Sequence, residues 1–258
     1  MSTSSLSLAA TRPWVVRFKP SPTARLRLFC FPYAGGGAAA YRPWVAGLPS
    51  SIELCAVKLP GREDRLREAP FERLSDLLPV LTQVVSSYID MPYAFFGHSM
   101  GALIGFELAR ELRRQNQLEP AHLFVSAFRA PQRPPSWPET HRLPDTAFIE
   151  EVGRRWGGIP DAVRNEPDLL ALLLPTLRAD LALVETYAYT SDHPLHYPIS
   201  AFGGIDDQHV GQDALSAWYE QTSSTFTLTM FPGNHFFVQS ARESLLQTLT
   251  KELALLVV

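Results

Sequence analysis

Between residues 93 and 115 the chain reads YAFFGHSMGALIGFELARELRRQ. A short apolar run breaks off in Gly97-His98-Ser99-Met100-Gly101, and a long amphipathic helix pattern follows. A serine flanked by glycines at a strand-to-helix junction restricts the fold severely. The turn is so sharp that a Cβ at either glycine would meet the neighbouring strand or helix, and the serine hydroxyl projects from the top of a sheet. Gly-x-Ser-x-Gly alone is a common match. Between a buried strand and a helix it marks a nucleophile elbow, and the helix dipole adds to the site.

The surrounding pattern agrees. Arg25–Phe31, Ile52–Leu59, Tyr93–Gly97, His122–Phe128, Pro198–Gly204 and Phe226–Phe231 read as buried strands. Leu74–Tyr88, Ser99–Gln115, Asp213–Gln221 and Ala241–Leu256 read as helices. Strands alternating with helices imply βαβ units, hence an α/β fold with a mostly parallel central sheet flanked by helices. Residues 1–258 fit a single α/β domain. One region breaks the alternation. From Pro131 to about Tyr189 no strand is visible, a Pro-rich stretch comes first, and two helical patterns follow. Asp145 is expected to cap the first, and Pro175 is expected to break the second. An insertion placed there sits over the carboxyl edge of the sheet, so residues 131–189 are expected to form a helical lid.

A serine hydroxyl is a poor nucleophile and needs a base. On this fold the order is serine, acid, histidine. His235 follows the last strand and the turn Pro232-Gly233-Asn234. The remaining histidines read as packing or surface residues; His98 must point away from its neighbour Ser99, and His209 is the one rival base because it lies in the loop assigned to the acid. That loop reads Gly203-Gly204-Ile205-Asp206-Asp207. Asp207 is favoured over Asp206 because it clears the strand end and can reach the loop of His235. An oxyanion requires two fixed N–H donors. The Met100 amide is the first candidate. The second is the Ala34 amide, in Pro32-Tyr33-Ala34-Gly35-Gly36-Gly37 after an early strand. A phosphate-binding loop is the alternative for the glycines, but no Gly-Lys-Ser/Thr follows.

Bulk properties narrow the remaining classes. Hydrophobic residues make up 46% and charged residues 19%, as in an ordinary globular protein. A net charge of −3 argues against a nucleic-acid partner. No apolar stretch suits a membrane span, and the opening MSTSSLSLAATRP lacks a signal pattern and reads as a frayed terminus. Cys30 and Cys55 read as buried thiols of a reducing cytoplasm. Arg62, Arg65 and Arg67 cluster locally and read as the solvated start of a helix.

Taken in order, FPYAGGGA, LPGRE, FFGHSMGAL, LPTLRADLALVETY, PISAFGGIDD and FPGNHFF resemble the type II thioesterases that accompany polyketide synthases and nonribosomal peptide synthetases. The resemblance runs from about Leu26 to the end. It implies an α/β-hydrolase core with a mobile helical lid and a triad of Ser99, Asp207 and His235. The implied activity is removal of acyl groups from the phosphopantetheine arms of acyl or peptidyl carrier domains; a cytoplasmic monomer is expected. No metal and no cofactor of the protein's own is implied, since the substrate carries the phosphopantetheine. The medium-chain acyl thioesterase of fatty acid synthesis belongs to the same superfamily and stays open as an alternative. So do a carboxylesterase and, more remotely, a hydrolase-fold binding protein with a dead site, against which the complete triad argues.

Overall fold

The computed structural model describes residues 13–135, 137–156 and 166–257. Most of the amino-terminal stretch, and residues 157–165 of the expected lid, lie outside the described residues. The strands are β1 (Val15–Val16), β2 (Leu26–Phe31), β3 (Ile52–Val57), β4 (Tyr93–His98), β5 (Leu123–Ser126), β6 (Ile199–Gly204) and β7 (Phe226–Phe231). They form one sheet in the order β1-β3-β2-β4-β5-β6-β7. β1 runs antiparallel to β3 and the other pairings are parallel. The sequence reading omitted β1, which at two residues is too short to show a period.

Residues of β2 to β6 are buried throughout, because helices cover both faces. On one face α1 (Leu74–Ser86) and α2 (Met100–Arg114) pack Leu77, Leu81, Leu103 and Leu108 against Phe29, Phe31 and Phe95. On the other, a 3₁₀ segment (Ala38–Gly47) and a carboxyl-terminal helix pack Tyr41, Trp44, Leu245 and Leu249 against Leu28, Phe96 and Phe124. Cys30 and Cys55 are buried free thiols on opposite faces of the sheet, so their side chains do not meet.

Between β5 and β6 lie α3 (Asp145–Trp156) and α4 (Pro167–Glu185). Two local expectations fail here. α4 runs through Pro175 without a break, since Leu174 and Thr176 on either side of it are buried and hold both turns in place. Packing outweighs the missing N–H. Asp145 is the first residue of α3, and its carboxylate accepts from Arg178 Nη2 at 2.6 Å. The arginine cluster differs as well. Arg62 and Arg65 are buried; only Arg67 is exposed. Near the end of the chain α5 (Gln212–Ser216) passes into a 3₁₀ turn at Ala217–Gln221, and the helix expected from residue 241 is α7 (Arg242–Ala254), preceded by a short α6 (Phe237–Ser240).

Candidate active site

Ser99 sits between β4 and α2 with φ 53° and ψ −120°, in the left-handed region that a side chain rarely adopts. Its amide donates to the Ser126 carbonyl at 2.7 Å, which pins the strained residue to β5. The flanking glycines are required by contact. A Cβ on Gly97 would lie 2.0 Å from the Gly101 carbonyl oxygen, and one on Gly101 would lie 2.2 Å from the Phe31 carbonyl oxygen. The helix packs directly on the strands, and the serine is pushed out above them.

His235 follows β7 and brings its Nε2 to 3.1 Å from Ser99 Oγ, across 136 residues of chain. Its Nδ1 lies 2.8 Å from Asp207 Oδ2. An ionised carboxylate only accepts, so Nδ1–H donates to Asp207 and Nε2 is left to accept from the serine. Asp207 is 7% exposed, whereas Asp206 is exposed to solvent. The second Asp207 oxygen accepts the amides of His209 and Val210 at 2.9 and 3.2 Å. Burial opposes the charge of Asp207. The hydrogen bond and field of His235 and the two amides outweigh it, and the carboxyl is held below the usual carboxylate range. The structure thus brings Ser99, His235 and Asp207 into one hydrogen-bonded chain and leaves Asp206 out of it.

The rival base is elsewhere. The His209 ring packs against Trp137 and Trp156, with centroids 6.4 and 6.3 Å away. His98 points away from the serine, as its place in the elbow requires. It is fully buried, and its Nδ1 shares a hydrogen bond of 2.9 Å with Ser126 Oγ.

A cavity opens beside the hydrogen-bonded triad. Tyr33, Ala34, Ser99, Met100, His235 and Phe236 line its floor, and Val152, Trp156, Leu177, Leu181 and Val184 of α3 and α4 form its apolar wall. Ala34 and Met100 therefore border the same space as the serine hydroxyl. Met100 opens α2, where an N–H has no intrahelical partner. Glu185 also faces the cavity, but its carboxylate is taken by the backbone amides of Thr140 and His141, each at 2.9 Å, and by the His141 ring at 2.6 Å. The sequence reading missed the aromatic wall from Trp137. An isolated tryptophan in a Pro-rich stretch carries no periodic signal.

Comparison with known proteins places the chain in a family. Residues 26–253 match the profile of the thioesterase domain. The chain is similar to the gramicidin S biosynthesis protein GrsT of Aneurinibacillus migulanus, 42% identical over 96% of each chain. It is similar to the type II thioesterase BorB from the borrelidin biosynthetic cluster, with a TM-score of 0.84, 36% identity, and 92% of this chain and 96% of that one covered. It is also 33% identical to the human medium-chain S-acyl fatty acid synthase thioesterase, over 88% of this chain and 86% of the relative.

Proposed function

The chain belongs to the thioesterase family, and we propose that it hydrolyses acyl groups from phosphopantetheinyl carrier domains of a polyketide or nonribosomal peptide synthase through a Ser99 acyl-enzyme. The observation that carries this is the continuous Ser99–His235–Asp207 hydrogen-bond chain at the edge of an apolar cavity. Ser99 Oγ attacks the thioester carbonyl carbon while His235 Nε2 takes its proton. The oxyanion draws on the amides of Ala34 and Met100. The carbon–sulfur bond then breaks, and His235 returns the proton to the departing pantetheine thiolate. Water repeats the sequence in reverse roles. His235 takes its proton, the hydroxide adds to the acyl carbon, and collapse restores the Ser99 hydroxyl and frees a carboxylic acid. Asp207 fixes the imidazole tautomer and stabilises the imidazolium.

The apolar wall supplied by α3 and α4 suits an acyl chain and discriminates weakly among chains, by about 1–3 kcal/mol per methylene. That tolerance fits an enzyme that clears varied stalled intermediates. Residues 131–189 act as the lid of the single domain in this reading. Two buried free thiols suit a cytoplasmic chain, and no described helix is long and apolar enough to cross a membrane. The similarity to the human medium-chain enzyme favours a second reading, a fatty acyl thioesterase.

The deciding experiment measures kcat/KM on acyl-carrier protein, the matched acyl-N-acetylcysteamine and a matched oxygen ester, over a series of chain lengths. The carrier-bound thioester should be turned over best and with little dependence on chain length. A sharp optimum at medium chains would support the fatty acyl reading. Preference for the oxygen ester would overturn both.

A further inference from the structure

The loop that carries Ala34 has almost no side chains with which to hold itself. Its glycines Gly35, Gly36 and Gly37 leave the backbone free unless hydrogen bonds fix it. One bond is local: Gly36 N–H donates to the Tyr33 carbonyl at 2.8 Å and closes a four-residue turn. Gly35, third in that turn, has φ +73°, and Ala34 is not among the residues of positive φ. This is a type II turn.

The other bonds come from far along the chain. Gly35 N–H donates to Asp180 Oδ2 at 2.8 Å, from a residue on α4 that is 145 positions away. Arg62 donates through Nη1 to the Gly36 carbonyl at 2.8 Å. The two side chains also form a two-pronged pair, with Arg62 Nη1 at 3.0 Å from Asp180 Oδ2 and Nη2 at 2.7 Å from Oδ1. Arg62 is 5% exposed and Asp180 2%. The pair therefore grips the turn from both sides of its backbone: the carboxylate holds an N–H, and the guanidinium holds a C=O. It also selects the turn type. Flipping the Ala34–Gly35 peptide would point the Ala34 carbonyl, in place of an N–H, toward a carboxylate.

A buried ion pair is a poor source of stability, because both charges lose hydration that apolar side chains of the same volume never had. Neither residue borders the cavity. The residue next to the gripped peptide does border it, and that residue offers the second oxyanion donor. Such a donor accelerates the reaction only when it is held in position before charge develops.

We propose that Arg62 and Asp180 are positioning residues of the oxyanion site, and that Asp180 makes the seating of α4 over the cavity a condition for aligning the Ala34 amide. This rests on the hydrolytic reading above. Helix, glycine turn and the loop of Arg62 form one unit: the helix that walls the acyl chain also holds the turn that binds the oxyanion.

The test compares Asp180→Asn with the double variant Arg62→Met/Asp180→Leu, reading kcat, KM and Tm on an acyl-carrier substrate. Asp180→Asn should lower kcat by about 10–100-fold, short of the 10²–10³ that follows outright loss of a donor. KM should stay within about twofold, since the contact is made in the transition state. Its Tm should fall, because a buried guanidinium loses its counter-charge. The double variant exchanges the pair for apolar side chains, and such exchanges are often neutral or stabilising. Its Tm should return to near the wild-type value while kcat stays low. Wild-type kcat in a double variant of wild-type Tm would overturn the proposal. The unaltered chain gives an independent measurement: the Gly35 amide should exchange as slowly as the amides of β2, and exchange at the rate of an open loop would overturn the proposal without any variant having to fold. If the unaltered chain hydrolysed no thioester, the hydrolytic reading itself would fail, and the Gly35 exchange result would still report on the grip.

Discussion

Asp207 divides its carboxylate between two tasks: Oδ2 accepts from His235 Nδ1 at 2.8 Å, while Oδ1 accepts the backbone amides of His209 and Val210. The amides orient the carboxylate, and the carboxylate orients the ring. Asp206, one residue earlier, is exposed, and its backbone amide donates to the Gly233 carbonyl at 2.9 Å. Asp207→Asn should therefore lower kcat by roughly 10³–10⁴-fold, because an amide can donate to Nδ1 and favour the wrong tautomer. Asp206→Asn should stay within about twofold of wild type, as a surface change away from the hydrogen-bonded chain. Steady-state rates of the two variants decide the matter; the reverse ranking would move the acid by one residue.

Ser99→Ala removes a hydroxyl that faces the cavity and supports no packing. Its kcat should fall by at least about 10⁴-fold with little change in Tm. The serine and the base act as a unit, so Ser99→Ala combined with His235→Ala should be little slower than either single variant. Multiplicative losses in the double variant would mean that the two residues work independently.

The elbow was legible in the sequence because its constraints are local. A serine forced above two glycines between a strand and a helix has few alternatives, and the order of acid and histidine follows from the βαβ frame. Arg62 and Asp180 were not legible. They meet across 118 residues, and a charged residue in a sequence reads as solvated until a buried partner is known. Pro175 misled for a related reason. The local rule says that proline breaks a helix, and only the burial of Leu174 and Thr176 shows why this helix continues. Asp145 looked like a cap, and its carboxylate was instead taken by Arg178, which nothing nearby in the sequence announces.

Burial divides α4 into two halves. Leu169, Leu172 and Leu173 are exposed, whereas Ala179, Asp180, Leu181, Ala182 and Leu183 are buried. α3 rests on the helix through a small apolar cluster of Phe148, Val152, Leu174 and Leu181. A lid that opens for a carrier-bound arm should do so through its less buried parts. Amides of Asp145–Trp156 and of residues 169–173 should exchange faster than those of β4 and should slow when a non-hydrolysable acyl-pantetheine analogue binds. Amides of residues 179–185 should match β4 throughout. Uniform protection across both helices, unchanged by the analogue, would make the insertion static core and end the gating idea.

Stability should fall as the solution is acidified below neutrality, because two buried histidines stay neutral in the fold. Burial lowers His122 to about 4. Burial, and then the neighbouring His235, lower His98 well below its ordinary value. The unfolded chain takes up a proton on each near pH 6.5, whereas the folded chain does not. Their contribution is complete above about pH 6.5 and is lost progressively as pH falls toward 4, by up to about 1.4 kcal/mol per pH unit for each ring. The depressed carboxyl of Asp207 acts in the same direction at lower pH, with its stabilisation lost only as the carboxylate is protonated. Glu252 lies 3.4 Å from His122 Nε2 and has its carboxyl pushed up by burial, so it opposes the trend: its contribution is present at low pH and lost as pH rises through its folded value. Unfolding followed between pH 7.5 and 5 should show Tm dropping with a net uptake of protons, at most two from the two rings and reduced by Glu252. His122→Gln keeps a side-chain N–H within reach of Ser200 Oγ, which lies 2.8 Å from the His122 ring in the native chain, and removes one titrating group. The pH slope should shrink by about one proton in that variant. An unchanged slope would mean that His122 is charged in the folded chain, paired with Glu252.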